Sequence, residues 1–480
     1  MHRFSANNPL RRIIISATLY ILWLTAAYPS APAPKRDFRG AWIQTVFQEQ
    51  YQRRNSSQNQ SELKAMLDRL HRAGINAVIF QVRPSADAFF ISEIEPWSRH
   101  LTGRNGSAPQ PLWDPLQFMI DECHARGMEL HAWLNPYRVT ASPNEKLPDN
   151  HFTKRHPERY ITFNRRLYFN PALEENIRHI VKVVTDIVTR YDVDGIHFDD
   201  YFYPYPNGAE KFADDKHYRE SGSKLTLGDW RRQNVDRLIE QVHTAISSVK
   251  PWVRFGISPF GIWRNKTSDK RGSETSGLQN YDDLYADVPS WAEKGWIDYQ
   301  IPQLYWEMDH RRASYRTLCG WWAANGRGRH VYIGQDVKKT ADAGELADKL
   351  AMTAQADDIQ GNCWWYAGNL DAISDKLRAG AYSQPALVPE YLWLPVEPAD
   401  KPSDPTLSDG RLHWKKTPGA RKWVIYRFDD PEMIDIDDPG AIVGITYSPE
   451  FTPTTSGYYV VTALDYANSE SAPAMPVYIP

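Results

Sequence analysis

Between Asp37 and Leu387 the chain alternates eight short apolar β-type runs with helical stretches, an order that confines it to βαβ units around a parallel sheet. The runs are FRGAWIQTV (38–46), INAVIFQVR (75–83), MELHAWLN (128–135), VDGIHFDD (193–200), VRFGISPF (253–260), IDYQIPQLYW (297–306), HVYIGQD (330–336) and GNCWWYA (361–367). Helical patterns fill the gaps. SELKAMLDRLHRAG and DPLQFMIDECHARG each close on a glycine where a helix C-cap belongs, and EENIRHIVKVVTDIVTRY, DWRRQNVDRLIEQVHTAISSVK, VPSWAEKG and ADAGELADKLAMTAQA follow. Eight such units predict a (β/α)8 barrel of the TIM type. An open doubly wound sheet fits less well, because no Gly-rich phosphate loop follows any strand.

A chain of 480 residues exceeds the roughly 300 that a single core holds, so a second, smaller domain is expected. Beyond Leu387 the helical pattern stops. The Pro-rich linker EYLWLPVEPADKPSDPTLSDG leads into LHWKK, KWVIYRF, GITYSPEF, GYYVVTALD and PVYIP, which are spaced like sandwich strands and resemble a fibronectin type III domain. The expected division is a signal peptide and leader over 1–34, the barrel over 35–387 and an all-β fibronectin type III-like sandwich over 388–480. The last carries no acidic or metal-spaced cluster and reads as a structural or carbohydrate-presenting appendage.

The N-terminus joins a basic stretch, MHRFSANNPLRR, to the apolar run IIISATLYILWLTAA and small residues before YPSAPAP, the pattern of an export signal. The apolar run is short for a bilayer span, so no stable span is expected once the signal is removed; an uncleaved anchor is the alternative. The expected location is the periplasm or cell envelope, or the medium. Cys123, Cys319 and Cys363 are odd in number and lack CxxC spacing, which indicates buried thiols rather than a zinc site or a disulfide framework. A formal net charge of -3, with no Lys/Arg block beyond the N-terminus, argues against nucleic acid as a partner. The 18 Trp and 26 Tyr fill cores or stack on the apolar faces of ligands such as sugars.

Barrel enzymes work at the C-terminal ends of their strands, so the residues that follow each run carry the functional expectation. These are Arg83 and Asp87, then Asn135, Tyr137 and Arg138, then Asp199, Asp200 and Tyr201, then Ser258 and Arg264, then Gln303, Tyr305, Trp306 and Glu307, and Trp365. Alternation along VDGIHFDD turns Ile196 and Phe198 toward the helices and His197 and Asp199 inward. Asp199 is therefore the expected chemical residue, while Asp200 points to the rim or caps the next turn.

A carboxylate pair is what glycoside cleavage requires, one to protonate the leaving oxygen and one to act as nucleophile or to activate water. Glu307 is the candidate acid, because desolvation by the neighbouring Trp306 would raise its pKa. Asp87 and Asp336 are reserves more suited to capping loops. His197 reads as a packed or substrate-contacting histidine. Arg83, Arg138 and Arg264 are candidates to clamp a carboxylate or acetamido group, or else they neutralise the acidic rim. Trp133, Trp263, Trp306 and Trp365 are candidate stacking surfaces.

Taken in order, FRGAWIQTV, QVRPSADAFF, HAWLNPYR, VDGIHFDDYFYP, GISPFGIWRN and PQLYW resemble the blocks of glycosyl-hydrolase-like family 10 across about residues 37 to 380. The resemblance implies an exported bacterial (β/α)8 glycosidase, similar to enzymes acting on peptidoglycan glycan strands stripped of their peptides, with Asp199 at the expected catalytic position. Members are often lipoproteins, and this sequence departs from them in having no Cys after the apolar run. The expectation is a cofactor-independent glycoside hydrolase acting on a cell-wall or related N-acetylated glycan, with Asp199 as nucleophile or base and Glu307 as acid. Two other classes fit the same rim: a catalytically inert glycan-binding protein, and a metal-dependent deacetylase or esterase.

Overall fold

The computed structural model describes residues 33–149 and 151–480. The leader expected over 1–34 lies almost wholly outside them. Among the described residues no helix is long and apolar enough to cross a membrane.

The barrel strands are β1 (Phe38–Ile43), β2 (Ala77–Arg83), β3 (Glu129–Leu134), β4 (Gly195–Phe198), β5 (Arg254–Ile257), β6 (Tyr299–Gln300), β7 and β8 (Gly361–Trp365). β7 comes in two pieces, His330–Val331 and Ile333–Asp336, separated by Tyr332. All pairings are parallel, and the nine segments run in the order β7–β8–β1–β2–β3–β4–β5–β6–β7. The two ends of that order are the halves of one strand, so the sheet meets itself as the eight predicted runs require. The sixth run is a ladder for only Tyr299–Gln300, because Pro302 has no N–H to give, and single bridges from Gln303 to Phe260 and Gly334 carry the pairing upward.

Local chemistry sets the helices. Asn55 and Gln58 form a reciprocal capping box at the start of Ser56–Arg72, and Asp114 caps Pro115–His124 with proline in its first turn. Gly74 and Gly127 end these two helices with φ of 88° and 71°, as their positions in the sequence predict. Glu174–Arg190 buries Ile177, Ile180, Val183, Val184, Ile187 and Val188, a stripe at helical spacing. The helix Tyr315–Ala323 and the hairpin Tyr160–Phe163/Arg166–Phe169 were not anticipated; the hairpin sits in the long connection after β3.

Strand alternation yields two concentric cores. Ile196 and Phe198 pack outward among the helices, while Phe38, Trp42, Ile79, Trp133, Tyr299 and Ile301 fill the interior. The interior cluster also takes in Val388 and Tyr391. The Tyr391 hydroxyl meets that of Tyr332 at 2.7 Å, and Trp393 donates to Asp298 at 2.7 Å. The first part of the expected linker is thus packed against the base of the barrel, its aromatic side chains closing that end.

The C-terminal region contains β9 (Thr406–Ser408), β10 (Arg411–His413), β11 (Lys422–Phe428), β12 (Ile442–Thr446), β13 (Glu450–Phe451), β14 (Gly457–Leu464) and β15 (Val477–Ile479). They form two antiparallel sheets, β9–β10–β13 and β12–β11–β14–β15, around Leu412, Trp414, Trp423, Tyr459 and Val461. Two consecutive residues of this region reach carboxylates buried at the foot of the barrel. Arg421 meets Asp194 at 3.0 Å and Lys422 meets Glu129 at 2.9 Å.

Candidate active site

Asp199 and Asp200 leave the C-terminal end of β4 side by side, and each is only 4% exposed. Alternation aims Asp199 into the barrel mouth, where its Oδ2 accepts from the Trp133 indole at 3.2 Å and from the Asn135 amide. Among the described residues its Oδ1 takes only the Tyr201 amide, at 3.2 Å. Asn135 is itself fixed, since Gln81 donates to it at 2.7 Å while accepting from the Thr45 and Val46 amides. Asp200 departs from the expectation of a rim or turn-cap role. It is buried, accepts from the Tyr205 hydroxyl and faces the Gln303 amide.

Two buried carboxyls on adjacent residues that feel each other's charge do not both ionise easily. Burial, and then the charge of Asp200, push Asp199 up to about 7, with Arg138 opposing. Burial also raises Asp200, but the Tyr205 and Gln303 donors favour its charged form. Arg138 is 8% exposed, donates to the Pro84 carbonyl at 2.9 Å and lies 5.3 Å over the Tyr201 ring. Among the described residues its Nη2 has no hydrogen-bond partner.

Aromatic rings flank the pair. On one side Tyr201, Tyr205, Phe260 and Trp306 follow one another at centroid distances of 5.5, 6.1 and 5.4 Å. On the other, Trp365 stands 6.2 Å from Trp42 and 6.1 Å from Trp133. Tyr201 is exposed, and Gln303, Tyr305, Trp306 and Trp365 are half-buried, so these five expected contacts line the open mouth. Tyr205 and Phe260 were missed. Tyr205 lies in the same aromatic run, YFYPYP, and its place in that run was the available signal.

The remaining candidates stand elsewhere. Arg83 is fully buried in an ion pair with Glu95 at 2.6 Å and braces the Asn135 and Pro136 carbonyls, so it shapes a loop rather than clamping substrate. Arg264 is taken up by Asp269 and Asp282, each at 2.8 Å. Asp87, pushed up to about 7 by burial, accepts from the Ser85 amide at 2.9 Å, and Tyr137 is buried. His197 is fully buried inside the barrel, which agrees with the packed one of its two readings. Asn135 and Ser258 are likewise buried and support the site from beneath. Asp336 caps a helix through the Lys339 amide. Trp263 is buried and donates to Asp287. Glu307 is exposed, whereas the sequence reading expected Trp306 to cover it.

A depression of about 630 Å³ lies beside the mouth, between Leu173, His217, Trp230 and Asn234. It lacks a carboxylate pair. Among the described residues no group of three or more His, Cys, Asp or Glu is arranged to hold a metal ion.

The family model described as Glycosyl hydrolase-like 10 matches residues 37–351. Glycosyl hydrolase YngK of Bacillus subtilis (strain 168) is 37% identical over 413 residues, covering 82% of this chain and 81% of that protein. Glycosyl hydrolase DigH of Escherichia coli (strain K12) is 40% identical over 307 residues, covering 59% of this chain and 69% of that protein. Among solved structures, the PgaB (BpsB) glycoside hydrolase domain from Bordetella bronchiseptica is similar over 72% of this chain and 98% of that one, with a TM-score of 0.48 and 11% sequence identity.

Proposed function

The chain belongs to the glycosyl hydrolase-like 10 family and is a glycosidase, and from that premise we propose that it is exported and cleaves an N-acetylated glycan of the cell envelope through Asp199 and Asp200. The observation that carries this reading is the buried aspartate pair at the barrel mouth, which is poised to hold one proton between two aromatic walls. Asp199 keeps the proton. Its Oδ2 is filled by Trp133 and Asn135, so the proton sits on Oδ1 and passes to the glycosidic oxygen as the C–O bond breaks. Asp200, ionised and held by Tyr205, stabilises the oxocarbenium-like centre and either attacks it or takes a proton from the incoming water. Asp200 thus replaces exposed Glu307 as the partner of Asp199, and the acid role moves to Asp199, which burial pushes up to about 7.

The N-acetylated substrate is supported by Arg138. Of the three arginines read as clamps, it alone among the described residues forms no ion pair with a carboxylate of the protein, which leaves its charge for an acetamido or carboxylate oxygen. The exposed and half-buried rings supply faces for sugar stacking. Export rests on the N-terminal sequence pattern, with a leader over 1–34, a barrel over 35–387 and a second domain over 388–480. The three-plus-four antiparallel sheets, and a Tyr459 hydroxyl that returns to the Thr455 carbonyl at 2.7 Å, support a fibronectin type III-like sandwich there. The test of substrate is incubation with peptide-free peptidoglycan strands, chitin oligomers and plant polysaccharides, with products read by mass spectrometry. Release from plant polysaccharides alone would sink the envelope assignment.

A further inference from the structure

Inside the barrel, below the carboxylate pair, runs a row of buried polar side chains that the chemistry above does not use. Glu129 at the foot of β3 meets His131 Nε2 at 3.3 Å, and His131 Nδ1 meets the Tyr299 hydroxyl at 2.7 Å. The same hydroxyl meets His197 Nδ1 at 3.2 Å, and His197 Nε2 meets Ser258 Oγ at 2.9 Å. All five residues are at most 2% exposed. Gln303 continues upward, donating from Nε2 to the Ser258 carbonyl at 2.9 Å while its amide faces Asp200. Downward, Glu129 accepts from Lys422 at 2.9 Å and from Asn468 at 3.0 Å, both in the C-terminal region, and forms an ion pair with Arg254.

The row has one direction. Trp42 Nε1 lies 3.4 Å from His197 Nε2, and an indole N–H can only donate, so that nitrogen is bare. Burial keeps His197 neutral, which puts its proton on Nδ1, pointing at the Tyr299 oxygen. Tyr299 then gives its own proton to His131 Nδ1, and His131 donates from Nε2 to Glu129. At the far end Glu129 is held ionised by Arg254 and Lys422, hence an acceptor. The assignments made from the two ends agree.

The strands are also shaped around the row. A Cβ on Gly256 would overlap the Tyr299 ring, and one on Gly195 would overlap the His131 ring. Buried polar groups placed in an apolar interior cost about 1–3 kcal/mol each when unpaired, so a chain of them complete at every member is a built feature.

We infer that His131, Tyr299 and His197 form a one-way positioning relay that ties the C-terminal region, through Glu129, to Ser258 and Gln303 beneath Asp200. None of the three touches substrate. The relay rests on the reading of Asp199 and Asp200 as the catalytic pair.

Tyr299→Phe in the full-length protein keeps the ring and removes only the hydroxyl that joins the two histidines. The expected result is a fall in kcat on the order of 10- to 100-fold with KM near the wild-type value, the scale of a slightly misplaced reacting group. The His197 Nδ1–H, which Trp42 holds in that tautomer, loses its acceptor, so its ¹H and ¹⁵N signals should shift upfield at the same time. A wild-type kcat, or an unchanged His197 Nδ1–H signal, overturns the relay. Ser258→Ala, which keeps the carbonyl for Gln303, should move the same readouts in the same direction, and it stands in if the Phe variant does not fold. Asp199→Asn and Asp200→Asn run alongside: turnover retained in both defeats the catalytic reading, whereas both inactive beside a fully active Tyr299→Phe defeats the relay alone.

Discussion

Trp133 donates its indole N–H to Asp199 across 3.2 Å, from the neighbouring strand and on the same inward face. The contact fixes one carboxylate oxygen and leaves the other facing the mouth. Replacing Asp199 by Asn keeps an acceptor for the indole but removes the transferable proton. The expected loss in kcat is about 10²- to 10⁴-fold, with glycan retention on an affinity gel preserved. A variant that turns over normally would remove Asp199 from the chemistry.

The pH behaviour follows from the raised pKa of Asp199. Activity needs the shared proton, so kcat/KM should fall as pH rises through about 7. Stability follows the same titration. The folded pKa lies above the unfolded value, so the stabilising contribution is complete below about 4 and is lost as pH rises toward 7. Asp199→Asn should therefore melt higher than wild type at pH 8, by at most about 4 kcal/mol in stability, with the gap closing toward pH 4. A gap that widens on acidification would contradict the assigned shift.

The side chains of Trp306 and Tyr201 lie on the open side of the mouth, and Tyr201 holds Asp199 only through its backbone amide, which Ala retains. Trp306→Ala and Tyr201→Ala should each raise KM about fivefold, equivalent to about 1 kcal/mol of lost stacking, with kcat affected less. Kinetics on a soluble oligosaccharide would measure the split, and an effect confined to kcat would argue against a binding role.

Lys422→Met withdraws a cation from buried Glu129, leaving Arg254 and His131 to hold it. Removing one partner of a buried pair costs about 3–5 kcal/mol, and the remaining partners set this case at the lower end. Urea denaturation should show the deficit. A midpoint equal to wild type would mean that the C-terminal region contributes nothing to the base of the barrel.

Much of this was legible in the sequence because period-two alternation and strand-end position are local properties. The eight runs located the barrel, the alternation in VDGIHFDD turned Asp199 inward, and six blocks in order sufficed to name the family. What was not legible depended on partners distant in sequence. Arg83 is taken up by Glu95 and Arg264 by Asp282, pairings that only folded loops create. Glu307 was judged by its neighbour Trp306, but adjacency in a turn does not bury a side chain. Asp200 was placed by strict alternation, which stops applying where the strand ends at Phe198. The linker read from its prolines is held by Tyr391 and Trp393, whose partners lie roughly 60 to 95 residues earlier in the chain.

The most direct test is a time course of reducing-end release from peptide-free peptidoglycan strands by wild type, Asp199→Asn, Asp200→Asn and Glu307→Gln, each confirmed folded by circular dichroism. The account predicts release by wild type and Glu307→Gln and none above background by either aspartate variant. Release by both aspartate variants, with loss in Glu307→Gln, would contradict it.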